Sequence, residues 1–133
     1  MSDRKKQYQR KMDYIIEKIM NLPEPTDDFL IDALFYRIHT CIEATTDLVA
    51  MMVKDSGYTV KDDLSNIDTL ESNKIISPEL AETLKQLNSL RNVLVHRYNK
   101  IELEKILRSI DKIRDALLEF VEVVENFIKK NIR

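Results

Sequence analysis

The chain has one glycine, three prolines, one cysteine and no tryptophan in 133 residues. So little glycine and proline leaves few residues for the tight hairpin turns of an all-β fold. The same scarcity excludes a glycine-rich phosphate loop. A lone cysteine, Cys41, excludes a disulfide framework or a cysteine metal cluster within one chain. It falls in an apolar helical stretch and is expected to be a small buried residue. The opening MSDRKKQYQRKMDY is too polar for a signal peptide, and no apolar run approaches the length of a membrane span. The expectation is a soluble, cytoplasmic protein with no membrane association. A net charge of −2 argues against a nucleic-acid binder that works through bulk charge, but leaves room for a local cationic cleft.

What the chain does have is helix-forming sequence. At 44% hydrophobic and 33% charged residues, it suits a single domain spanning residues 1–133. The first helix is expected from about Asp3 to Asn21, with Tyr8, Met12, Ile15 and Ile19 on one face, ending at the prolines of LPEPTDD. A second starts near Thr26, a plausible N-cap followed by Asp27 and Asp28, and runs to about Lys54. DSGYTVKDDLSN reads as loop and IDTLESNKII as a short, irregular helix. Ser77-Pro78 is a strong start signal: a capping serine, then proline at the first helical position. Leu80, Leu84, Leu87, Leu94 and Tyr98 follow at steps of four, three, seven and four, and Arg91 fills the long gap in register. The last helix is expected to begin just after Asn99, which with Glu102 resembles a capping box. Its apolar positions from Leu103 to Phe127 alternate steps of three and four. Together these predict an all-α fold: an antiparallel bundle of four long helices plus a short irregular one.

The polar residues within RNVLVHRY are the site candidates. Arg91 stands where the seam elsewhere carries leucine, and a buried guanidinium needs a partner. It either pairs with an acidic residue on a neighbouring helix, for structure, or faces a cleft and binds an anion such as phosphate. His96 lies five residues on, about 140° round a continuous helix, but with the next helix capped at Asn99 it is expected in the last turn or the corner, where it can join Arg91. It either caps the helix end or acts in proton transfer, since imidazole exchanges protons near neutral pH. Tyr98 alone reads as a hydrophobic staple against Leu103. On the second helix His39, Glu43 and Asp47 recur every four residues, as solvent-facing surface or as a wall facing Arg91. His39 and Glu43 supply only two ligands, so no metal site is expected.

The stretch Arg91-Asn92, three apolar residues, His96, any residue, Tyr98 resembles the R-x4-H-x-Y motif of HEPN domains (higher eukaryotes and prokaryotes nucleotide-binding). More closely, RNVLVHRY is similar to the signature of the HepT-like toxins, within a matching helical context that includes Ile42-Glu43-Ala44. The resemblance covers nearly the whole chain. It implies a dimerising helical bundle and a metal-independent endoribonuclease without cofactors. In it Arg91 binds the scissile phosphate, Asn92 orients the site and His96 transfers protons as the RNA 2′-hydroxyl attacks its own phosphate; DNA, lacking that hydroxyl, is not a substrate. Glu43 and Asp47 would complete the cleft. The resemblance further implies a partner, a nucleotidyltransferase antitoxin of the MNT type, which transfers AMP to the motif tyrosine, here Tyr98. Two other classes stand beside this one: a non-catalytic module that binds nucleotides or docks to a nucleotidyltransferase, and a purely structural dimerisation protein built on the last seam.

Overall fold

The computed structural model of the chain describes residues 2–96 and 100–133. Tyr98 and Asn99, the expected modification site and the expected helix cap, lie outside them. Among these described residues six helices run in the order α1 (Asp3–Ile19), α2 (Asp28–Asp55), α3 (Asp63–Ser72), α4 (Pro78–His96), α5 (Lys100–Arg108) and α6 (Ile110–Asn131).

Local chemistry sets the helix ends. Ser2, Asp27 and Asp62 each accept a backbone N–H three residues on, and the Leu80 N–H donates to Ser77 Oγ at 3.0 Å, so α4 starts at the Ser-Pro signal. The cap of α2 is Asp27 rather than Thr26. α3 begins inside the stretch expected to be loop, because Asp62 accepts the Ser65 N–H at 2.8 Å and nucleates the turn. Gly57 sits at φ 87°, where a side chain would be strained, and this lets the Tyr58 N–H close back on the Val53 carbonyl at 3.1 Å.

The expected single last helix is divided at Ser109. That residue's N–H donates to Ile106 O at 2.9 Å and its hydroxyl to Lys105 O at 2.8 Å, pulling the turn tighter than an α-helix. The apolar register survives the break, since Ile106 and Ile113 on either side are both buried.

α2 is the central element, touching α1, α3, α4 and α6. Its contacts with α1 pair Arg4 with Asp55, Lys11 with Asp47, and the Ile15 carbonyl with Cys41. As residue numbers rise on one helix they fall on the other, so the two are antiparallel. α3 and α4 are antiparallel by the same test, through Asp63–Arg91 and Asp68–Lys85. The core is made by Tyr8, Met12, Ile15 and Ile19 of α1, the α2 face from Leu34 to Val53, the α4 leucines, and Leu117, Phe120 and Val124 of α6. No helix among the described residues is long and apolar enough to cross a membrane.

Cys41 lies within this core, and its thiol donates to the Ile15 carbonyl at 3.8 Å. Burial pushes the thiol pKa up to about 11, against a smaller opposing effect of Lys18 and Arg37. Maleimide should therefore label the folded protein slowly at neutral pH and rapidly in denaturant. Equal rates would show that the α1–α2 seam opens.

Candidate functional site

Three helices converge on Arg91. α4 carries it in the leucine seam, where its side chain keeps 22% of its exposure. Nη1 donates to Glu43 Oε1 on α2 at 3.1 Å, and Nη2 donates to Asp63 Oδ2 at the start of α3, also at 3.1 Å. The arginine thus bridges both neighbouring helices, and the cluster holds one positive and two negative charges. Beside it lies a small cavity of about 10 Å³, lined partly by Asp63, Ile67, Leu84 and Asn88. The Asn88 Oδ1 is buried with no hydrogen-bond partner among the described residues.

The remaining candidates divide. Glu43 joins the Arg91 cluster, as one reading of its stripe predicts. Asp47, one turn on, does not: it pairs with Lys11 of α1 at 2.9 Å, because α1 rather than α4 covers that side of α2. His39, one turn before Glu43, has its Nδ1 buried without a hydrogen-bond partner among the described residues. Asn92 is exposed beside Arg91. His96 is exposed in the last turn of α4. The helix is continuous from Arg91 to His96, so within one chain the two side chains leave α4 about 140° apart. Among the described residues no group of three or more His, Cys, Asp or Glu side chains is arranged to hold a metal ion.

Asp63 is the member that sequence reasoning missed. It lies in a stretch whose sequence reads as loop, with no periodicity to place it. The available signal was Asp62-Asp63 three residues ahead of Ser65 and Asn66: taking Asp62 as a cap puts Asp63 in the first turn of a helix.

An all-helical bundle with an arginine in the leucine seam and a histidine five residues on at the helix end defines a class. The chain belongs to the ribonuclease HepT-like family, whose sequence model matches residues 6–124. It is 41% identical over 128 residues to a protein of Archaeoglobus fulgidus whose name proposes an RNase, covering 96% of this chain and 97% of that one. It is also 22% identical over 100 residues to the mRNA nuclease HepT of Shewanella oneidensis, covering 74% of this chain and 75% of that one. Among solved structures, an MntA–HpeT toxin–antitoxin crystal structure has a chain that superposes with a TM-score of 0.80 at 19% identity, over 90% of this chain and 98% of that chain. A tri-AMPylated Shewanella oneidensis HEPN toxin in complex with an MNT antitoxin gives a TM-score of 0.71 at 20% identity, over 95% and 99%. The fold is that of the HEPN toxins.

Proposed function

We infer that this chain is the toxin of a toxin–antitoxin pair, a cytoplasmic endoribonuclease that cuts RNA by attack of the 2′-hydroxyl without a metal ion. The observation that carries this reading is Arg91, a guanidinium in a leucine seam held at the surface by carboxylates from two helices, in a family of ribonucleases. The two carboxylates take one N–H each from Nη1 and Nη2, and a guanidinium has five, so others remain for an anion. The 2′-oxygen loses its proton and bonds to phosphorus. The bond from phosphorus to the 5′-oxygen breaks, that oxygen gains a proton, and a 2′,3′-cyclic phosphate remains. Arg91 meets the charge that builds on the phosphoryl oxygens, and His96 moves protons. Asn92 orients the site, and Glu43 completes its wall. Asp47, held by Lys11, would act only at a distance, through the potential along α2.

The divergence of Arg91 and His96 about α4 is a physical reason for a homodimer. A second copy, related by a two-fold axis, can set its own His96 opposite this Arg91 and supply both an acid and a base. Phe29 and Tyr36 are 86% and 66% exposed on α2, with Tyr36 seven residues after Phe29 and Glu43 seven after Tyr36. This apolar strip leading to the site suits such a face. The partner that restrains the toxin is an MNT-type nucleotidyltransferase, which transfers AMP to Tyr98. The added phosphate brings negative charge two residues beyond His96 and competes with RNA for the same cations.

The test is cleavage of total RNA by the purified protein in the presence of chelator. Wild type should release fragments ending in cyclic phosphate. Arg91→Leu should lose about 10²–10³-fold in rate with its melting temperature nearly unchanged, because Glu43 and Asp63 both reach solvent. If wild type leaves RNA intact but binds nucleotides through Arg91, the chain is instead a non-catalytic nucleotide-binding or docking module.

A further inference from the structure

The Arg91 cluster is over-supplied with anions. Glu43 and Asp63 each bond to one nitrogen of the guanidinium at 3.1 Å. A phosphate brought to the same group would make three anions about one cation. Like charges at such separations disfavour one another, so one carboxylate has to yield.

The two carboxylates are not equivalent. Asp63 has the shorter side chain, and the backbone beneath it is pinned on both sides. Asp62 accepts the Ser65 N–H at 2.8 Å. Asn66, only 2% exposed, accepts the Lys61 N–H at 2.7 Å and donates to the Lys61 carbonyl at 3.2 Å. Asp63 also stands in the first turn of α3, where the helix end favours its charge. Glu43 has one more rotatable bond and lies mid-helix on α2. Its side chain is 47% exposed against 35% for Asp63, so it can swing into water with no backbone movement.

We propose that Asp63 is a positioning residue that fixes the Arg91 guanidinium, and that Glu43 is an exchangeable carboxylate whose place on Nη1 is taken by a phosphate of the bound strand. This rests on the reading of Arg91 as a phosphate ligand. Both substitutions remove one negative charge, so electrostatics alone predicts the same effect from each. The division of labour predicts different ones. Glu43→Gln should bind inorganic phosphate and an all-2′-deoxy strand about fivefold more tightly and lower KM to match, with kcat little changed. Asp63→Asn should lower kcat about tenfold, since a displaced guanidinium no longer meets the reacting phosphate. The Arg91 Nε–H resonance should stay sharp in Glu43→Gln and broaden in Asp63→Asn.

Adding Arg91→Ala to Glu43→Gln should abolish the gain in phosphate binding. The proposal is overturned if Glu43→Gln weakens phosphate binding, if both variants change the same kinetic parameter in the same direction, or if the Arg91 resonance is indifferent to Asp63→Asn. If wild type cuts no RNA, the nuclease reading falls. Phosphate titration and the Arg91 resonance still judge the two carboxylates.

Discussion

His96→Ala should lower the rate of RNA cleavage by about 10²–10⁴-fold and leave the melting temperature where it was. Both halves of this result follow from where the residue stands. His96 is exposed in the last turn of α4 and takes no part in the buried core. Removing its imidazole therefore opens no cavity in that core. Proton transfer to or from the reacting oxygens should suffer, because the chain has one other histidine, and His39 is half-buried on α2 with one ring nitrogen buried. The measurement is a single-turnover rate on a defined RNA strand, with thermal unfolding of the same sample. Equal rates for the two proteins would remove His96 from the chemistry. A parallel fall in melting temperature would make it a helix-end residue instead. Mixed dimers add a sharper reading: an Arg91→Ala chain paired with a His96→Ala chain should recover part of the activity if the two residues act across a two-fold axis.

Asp55→Ala should be the most damaging of the polar substitutions to stability, by about 2–4 kcal/mol. Asp55 ends α2 and ties the start of α1 to it. Its carboxylate accepts the Tyr8 hydroxyl at 2.6 Å and takes Arg4 through Nε at 2.7 Å and Nη2 at 3.0 Å. Arg4 also lies over the Tyr8 ring, 5.4 Å from its centre. Tyr8 is fully buried, so deleting the carboxylate strands its hydroxyl without this acceptor and leaves Arg4 unpaired.

The same cluster fixes a pH dependence. Burial alone would raise the Asp55 pKa, but the hydrogen bonds from Arg4 and Tyr8 outweigh it and hold the carboxyl below its ordinary value. Burial, with the bond to Asp55, holds the Tyr8 hydroxyl well above the usual tyrosine range, so it stays a donor. A depressed carboxyl pKa stabilises the fold fully above the unfolded value of about 3.9, and that stability is lost as pH falls through the lower folded value. Wild type should therefore melt at steadily lower temperature as pH drops below about 4. The Asp55→Asn profile should be flatter over that window. Parallel profiles would show that the cluster contributes nothing.

Much of the fold could be read from the chain because it is local. The step-three, step-four alternation from Leu103 to Phe127 reports which face of a helix is dry, whatever covers it. Ser77-Pro78 starts α4 as expected because a capping hydroxyl and a fixed φ act within one turn. Arg91 was conspicuous for the same reason, an in-register cation among leucines. Where two local preferences competed, the sequence misled. At Ser109 the hydroxyl took the Lys105 carbonyl and broke a helix whose apolar pattern runs straight through. At Asp62 and Asp63 a helix start looked like loop because so few apolar residues follow.

The sequence by itself determined an all-α bundle and which face of each long helix is dry; that α4 runs unbroken from Arg91 to His96 came from the structure. Only the tertiary structure decided what Arg91 touches. Glu43 and Asp47 are the same kind of residue one turn apart on α2, yet one meets Arg91 and the other meets Lys11. Asp63 reaches the site from a third helix that no spacing connects to it. Periodicity fixes directions around a single axis. Which neighbour lies in each direction depends on how six helices share one core, and that is settled by packing along the whole chain.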